Sequence, residues 1–231
     1  MTIADQIQRV RQNIDQYCRE SGRQPEQVKL LAVSKTHPPS AIQEAYESGI
    51  TEFGESYLQE ALEKIEACKK LPVVWHFIGP IQSNKTRQIA ENFDWVQSVD
   101  REKILNRLNE QRPTAIGPLR ICIQANLFRE PQKQGVSPEE LDAMLAKAAS
   151  LPNIELRGLM VIPPPQAEFD AQLKQFQQVE SIFNELQKTY PTMDTLSMGM
   201  SGDIGAAIAA NSTMVRVGTG IFGQRRAKPN S

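Results

Sequence analysis

Lys35 closes the run Lys29–Thr36 (KLLAVSKT), a nearly continuous apolar stretch that delivers an amine at its end. Alternation along a strand puts Leu31, Val33 and Lys35 on one face. If that face lines a packed interior, burial disfavours the ammonium and lowers its pKa. The neutral amine then attacks a carbonyl, which is Schiff-base chemistry. The alternative is a lysine whose stem packs while its head reaches solvent. A second group lies near the C-terminus. Ser201-Gly202-Asp203 opens a small-residue helix, and Gly218-Thr219-Gly220 follows the run Met214–Gly218 (MVRVG). Both stretches can present backbone N–H groups where a helix begins, a setting that attracts phosphate. The alternative is that these glycines only make turns.

Arg216 sits in MVRVG between small apolar neighbours. A guanidinium buried there needs an acceptor. A structural carboxylate is one partner. A pyridine nitrogen is another, because arginine can serve as the ring-nitrogen partner of pyridoxal phosphate. An amine for an aldehyde, a cation for a ring nitrogen and two phosphate loops together match that one cofactor. A sugar-phosphate barrel enzyme using Lys35 without cofactor is a competing reading. Gly218–Gly223 (GTGIFG) also matches the dinucleotide pattern GxGxxG, but only eight residues follow Gly223. That leaves no room for the helix, strand and acidic residue such a site requires.

The elements that must position these groups follow from hydropathy and turn signals. Strands are expected at Lys29–Thr36, Thr51–Glu55, Val73–Gly79, Trp95–Val99, Leu119–Asn126, Ile154–Ile162, Thr195–Met200 and Met214–Gly218. Nearly all are separated by an amphipathic segment. Ser40 and Gln43 suggest a capping box for a helix through Ala45. A second helix is expected to run to about Lys70, and a third over Arg101–Gln111. Ser137-Pro138-Glu139-Glu140 is a strong helix start. Longer and shorter helices are expected over Ala167–Lys188 and Gly202–Ala210. Runs such as KLLAVS and RICIQA suit strands covered on both faces. Eight β-then-α units favour a (β/α)8 TIM barrel preceded by an extra N-terminal helix, with an open doubly wound sheet as the alternative. In a barrel, chemistry sits at the C-terminal strand ends. Those positions here are Lys35, Glu55-Ser56, Gly79-Pro80, Asn126, Met160, Met200-Ser201 and Arg216-Gly218-Thr219.

Composition narrows the function classes. The chain has 231 residues, 40% hydrophobic and 23% charged, with 26 basic and 27 acidic side chains. That is an ordinary globular composition, and the near-neutral balance argues against sequence-independent nucleic-acid binding. The N-terminus reads as an amphipathic helix and not a signal peptide, and no stretch approaches the ~20 apolar residues of a membrane span. Cys18, Cys68 and Cys122 are scattered and form no metal-binding spacing. A cytoplasmic location is the simplest expectation, and no strongly apolar helix face calls for a partner, so a monomer is expected. His76, alone within a strand, reads as a hydrogen-bonded core residue.

The same residues carry a family resemblance. LLAVSKTHP (Leu30–Pro38), FGESYLQE (Phe53–Glu60), WHFIGPIQSNK (Trp75–Lys85), RGLMVIPP (Arg157–Pro164), LSMGMSGDIGAAI (Leu196–Ile208) and STMVRVGTGIFG (Ser212–Gly223) span most of the chain. In that order they resemble the pyridoxal-phosphate homeostasis proteins, small single-barrel relatives of alanine racemase. The resemblance implies one domain over residues 1–231, a barrel of the alanine-racemase N-terminal type. It implies pyridoxal 5'-phosphate held as a Schiff base on Lys35, with Arg216 facing the ring nitrogen. Ser201, Gly218 and Thr219 would surround the phosphate, and Met160 would lie near the ring. Ser56 stands where the family often has Asn; it is shorter and lacks the amide donor. The implied role is vitamin B6 and amino/keto-acid homeostasis without established turnover, with apo pyridoxal-phosphate enzymes as recipients. A low-activity racemase is the alternative. Racemization needs an acid/base group on each face of the substrate. In alanine racemases the second face is served by a tyrosine from a further C-terminal domain, for which this chain has no room.

Overall fold

The structure is a computed structural model that describes residues 1–224. Helix α1 (Ile3–Glu20) comes first, started by a capping box. Thr2 Oγ1 accepts from the Asp5 amide at 3.1 Å, while Asp5 Oδ2 accepts from the Thr2 amide at 2.9 Å. Ile7, Val10, Ile14 and Cys18 form its buried stripe, spaced to share one helix face.

Strands and helices then alternate. β1 (Lys29–Val33) leads to α2 (Pro39–Glu47), β2 (Glu52–Glu55) to α3 (Leu58–Ala67), and β3 (Val74–Phe77) to α4 (Thr86–Asn92). β4 (Trp95–Val99) leads to α5 (Glu102–Gln111), and β5 (Leu119–Ala125) to α6 (Pro138–Ala149). β6 (Ile154–Val161) precedes α7 (Phe169–Thr189), β7 (Thr195–Met200) precedes α8 (Ile204–Ala209), and β8 (Met214–Val217) precedes α9 (Thr219–Phe222). The strands close in sequence order into an all-parallel barrel. β8 returns to β1 with Lys29 opposite Met214 and Leu31 opposite Arg216. This is the (β/α)8 barrel, not the open sheet. The apolar core lies mainly between strands and helices. Inside the barrel, Trp95, Cys122 and Met160 form a small separate cluster.

Several local expectations differ from the structure. The Ser40–Gln43 capping box does not form: Pro38 is the N-cap of α2 and Pro39 its first residue. A proline already supplies the helical φ at that first position, which leaves Ser40 exposed inside the first turn. Gln43 instead donates to Glu47 Oε1 at 2.7 Å. β1 stops at Val33, two residues before Lys35. The reason is the next turn, in which Thr36 adopts φ 69°, a left-handed conformation no strand can contain. Helix α4, only seven residues long, is too short to give a readable hydrophobic period.

Candidate functional site

The C-terminal ends of the strands converge on a cavity of about 360 Å³. Lys35, Ser56, Met160, Ser201, Arg216, Gly218 and Thr219 all line it. The volume falls in the range of small-molecule sites, roughly 300–1,000 Å³.

Lys35 enters from the turn after β1 and is half-buried. The residues on either side of it are tied down. Ser34 Oγ donates to Glu55 Oε1 at 2.6 Å, and the Thr36 amide donates to Glu60 Oε1 at 2.5 Å. Lys64, on α3, unites these carboxylates. Its Nζ donates to Ser34 O at 2.8 Å, to Glu55 Oε1 at 2.8 Å and to Glu60 Oε1 at 2.5 Å. Lys64 and Glu55 are both fully enclosed. Burial pushes the Glu55 carboxyl up, opposed by Lys64 and Ser34.

Arg216 projects from β8 and is almost completely buried. Nη1 donates to Ser197 O and Ser197 Oγ, each at 2.8 Å, and Nη2 donates to Val161 O at 3.1 Å. Its hydrogen-bond acceptors among the described residues are thus carbonyls and a hydroxyl, not the carboxylate that usually accompanies a buried cation. Burial pulls its pKa down to about 10, with Asp203 and Cys122 pulling it back. It therefore stays charged at neutral pH.

Below Arg216 the barrel interior carries a polar chain. Ser197 Oγ donates to Gln97 Oε1 at 2.7 Å. Gln97 Nε2 lies 2.9 Å from His76 Nδ1. His76 Nε2 lies 3.0 Å from Glu52 Oε2, at an angle that falls short of a good hydrogen bond. Lys29 meets the other Glu52 oxygen at 3.2 Å. His76 is stacked on Trp95 with ring centroids 5.3 Å apart, and burial lowers its pKa. It is a core residue, outside the cavity. Cys122 is also enclosed, its thiol pushed up to about 12 by burial.

The two glycine turns meet at the other wall. The Met200 amide donates to Asp203 Oδ1 at 2.5 Å, and the Asp203 amide to Met200 O at 2.9 Å, which closes the turn holding Ser201 and Gly202. A side-chain carbon placed on Gly220 would sit 3.6 Å from Ser201 Oγ, so that hydroxyl faces the Gly218–Gly220 turn. Around Gly202 nothing lies within 4 Å of such a carbon. The Ile221 and Phe222 amides donate to Gly218 O at 3.0 and 2.9 Å, which leaves the Thr219 and Gly220 amides at the start of α9 without an acceptor in the helix. This wall is an open, donor-rich cradle that suits a small anion.

Not every strand end contributes. Glu55 turns away to Lys64. Gly79 is a spacer: a Cβ there would lie 2.1 Å from Ser56 O, so only glycine lets β3 pass the backbone beside Ser56. Asn126 organises its own loop, accepting from the Glu130 amide at 3.0 Å and donating to Glu130 O at 2.9 Å. Met200, read from sequence as a strand-end position, lines the cavity as well, whereas sequence reasoning missed Ile78 and Ile162 as apolar wall residues, although each lies at or just beyond a strand end. It also missed Glu60 and Lys64, whose spacing of four along a helix is equally that of an ordinary surface pair.

An amine, a lasting cation and an anion cradle in one cavity suit a ligand with a carbonyl, a ring acceptor and a phosphate. Residues 6–226 match the family model of the alanine racemase N-terminal domain, which is the class this barrel represents. The chain is 50% identical over 226 residues to the pyridoxal phosphate homeostasis protein of Escherichia coli K12, covering 96% of this chain and 97% of that protein. It is 51% identical over 224 residues to the protein of the same name from Pseudomonas aeruginosa, covering 97% and 96%. The chain belongs to the family of pyridoxal phosphate homeostasis proteins. Among solved structures it is similar to PipY of Synechococcus elongatus with PLP bound, at TM-score 0.84 and 36% identity, covering 96% of this chain and 100% of that one. Its likeness to alanine racemase of Corynebacterium glutamicum, at TM-score 0.69 and 17% identity over 96% of this chain and 62% of that one, is one of fold.

Proposed function

We propose that this protein binds pyridoxal 5'-phosphate at the C-terminal mouth of the barrel and serves vitamin B6 and amino/keto-acid homeostasis as a holder of the cofactor. The observation that carries the reading is the shared cavity of Lys35 and Arg216, the latter a buried cation hydrogen-bonded only to neutral groups among the described residues. When bound, the cofactor supplies an aldehyde that forms a Schiff base with a lysine, and an aromatic ring that can withdraw electrons. Lys35 supplies the amine. Arg216 faces the ring nitrogen and, being charged, favours the unprotonated ring, which weakens electron withdrawal. Ser201, Gly218 and Thr219 hold the phosphate through hydroxyls and backbone amides. Met160 packs against the ring face. Ser56 closes the wall next to Gly79, with a shorter reach than an amide side chain.

The cavity supports holding over turnover. Lys35 and Arg216 are the ionizable side chains among its described lining residues. Racemization needs a second acid/base group on the opposite face of the substrate, and serine, methionine and isoleucine side chains are poor candidates. Delivery to apo enzymes, a cytoplasmic location and a monomeric state complete the proposal. No helix among the described residues is long and apolar enough to cross a membrane.

The test is the visible absorption spectrum with and without added pyridoxal phosphate, beside Lys35→Ala. Wild type should show a band that borohydride bleaches, with the label on Lys35. Lys35→Ala should lose the band and keep only weak, phosphate-driven binding. A borohydride-trapped adduct at the same cavity in Lys35→Ala would overturn the assignment. Absence of any band after reconstitution would remove the cofactor.

A further inference from the structure

We propose that Glu60 and Lys64, both on α3, are positioning residues that set the reach of Lys35 by clamping the backbone on both sides of it. The inference rests on the reading of Lys35 as the cofactor lysine and deepens it. Three observations converge. First, Lys64 Nζ has three N–H groups and three acceptors, Ser34 O, Glu55 Oε1 and Glu60 Oε1, at 2.8, 2.8 and 2.5 Å. Its donors are fully used, so it is a fixed strut and not a spare amine. Second, the contacts fall on the neighbours of Lys35. Ser34 is held at its carbonyl by Lys64 and at its hydroxyl by Glu55, and Thr36 is held at its amide by Glu60 at 2.5 Å. Third, Thr36 is strained. A β-branched residue at φ 69° is unfavourable, and Thr36 Oγ1 is buried without a hydrogen-bond partner. Such a conformation persists only where surrounding contacts over-determine it. Here the bond from the Thr36 amide to Glu60 does so.

The consequence is geometric. The turn fixes where the Lys35 side chain leaves the backbone. Glu60 is the outer arm of the clamp and is partly exposed, whereas Lys64 and Glu55 are enclosed. Glu60 can therefore be altered without opening the core. Losing its bond to Thr36 lets the turn relax, and Lys35 then samples positions from which it reaches the cofactor less often.

The experiment compares Glu60→Ala, Glu60→Gln and, as an exposed control on the same helix, Glu63→Ala. The rate of covalent attachment of pyridoxal phosphate should fall about tenfold or more in Glu60→Ala, since small misplacements of a reacting group are costly. Glu60→Gln, which still accepts from the Thr36 amide, should recover most of that rate, and Glu63→Ala should match wild type. Equilibrium affinity is then measured for Glu60→Ala in the Lys35→Ala background. If Glu60 acts through Lys35, its effect vanishes there; an effect that persists undiminished means a general structural role and overturns the proposal. Amide hydrogen exchange in the cofactor-free protein gives an independent readout. Faster exchange at Thr36 in Glu60→Ala supports the clamp, and unchanged exchange together with an unchanged rate refutes it. Should borohydride label a lysine other than Lys35 in wild type, the cofactor reading fails, while the exchange result still decides the clamp.

Discussion

Arg216 and Ser197 meet twice inside the barrel, because one guanidinium nitrogen donates to both the carbonyl and the hydroxyl of Ser197 at 2.8 Å. This pair joins the candidate cofactor cavity to the polar chain beneath it. The hydroxyl accepts from Arg216 and passes its own proton toward Gln97 Oε1 at 2.7 Å. Ser197 and Gln97 are thus what holds Arg216 in place from below.

Ser197→Ala removes the shared hydroxyl and leaves Gln97 Oε1 without a donor in a dry interior. Orphaning one buried polar group costs about 1–3 kcal/mol. The expected outcome is an unfolding free energy lowered by that amount, read from a lower urea midpoint at unchanged slope. A midpoint equal to wild type would mean that the Gln97 amide finds another partner.

Lys64→Ala should be severe. It strands the enclosed Glu55 carboxylate, and breaking a buried ion pair from one side costs about 3–5 kcal/mol. Pairing it with Glu55→Gln should recover part of the loss, since the second change removes the stranded charge. Chemical denaturation of the single and double variants checks both statements; a double variant less stable than Lys64→Ala would contradict the second.

Acidification should weaken the fold through His76. Its pKa in the folded protein is held below the ordinary 6.5, chiefly by burial and against the pull of Glu52. The unfolded chain therefore binds more protons in this range, so stability is fully present above about pH 6.5 and declines as pH falls below it. The slope contributed is at most about 1.4 kcal/mol per pH unit. Glu52, held below its ordinary 4.5, loses its own contribution only at lower pH. His76→Gln should show a flatter profile between pH 7.5 and 5.5, measured by denaturation midpoints at each pH.

Two glycines beside the cavity should behave oppositely. In Gly79→Ala the new carbon would lie 2.1 Å from Ser56 O, a backbone atom that cannot yield without moving β2. In Gly202→Ala it would meet nothing within 4 Å. The first should lower the melting temperature markedly. The second should leave stability within about 0.5 kcal/mol of wild type. Thermal unfolding of the two variants side by side makes the comparison, and equal losses would show that the spacer role of Gly79 is misread.

The barrel was legible because parallel strands covered on both faces announce themselves as short apolar runs. Trp95–Val99 and Thr195–Met200 have the bounds expected from sequence. The rim was less so. That Lys35 sits in a turn depends on Thr36 taking a left-handed φ, which Thr disfavours and no propensity would suggest. The cavity residues were accessible through strand ends alone, since that is where a parallel barrel opens. The contacts that hold them were not. Ser197 meets Gln97 across a hundred residues of sequence, and Glu60 with Lys64 had the spacing of a solvent-facing pair. Their contacts with Ser34 and Thr36 arise only when the β1 turn folds over α3.

The interior chain also has a direction that nothing within it can reverse. Arg216 can only donate and the Glu52 carboxylate can only accept. Between them, the single hydroxyl proton of Ser197 must point at the Gln97 oxygen, so the Gln97 NH2 faces His76 Nδ1. His76 Nδ1 is thereby bare and the ring proton sits on Nε2, toward Glu52. An amide flip at Gln97 would require a tautomer change at His76 in the same event, and the two ends would oppose both. The interior chain is thus a polar column with one sense, its positive pole in the cavity wall at Arg216 and its negative pole at Glu52 near the opposite mouth.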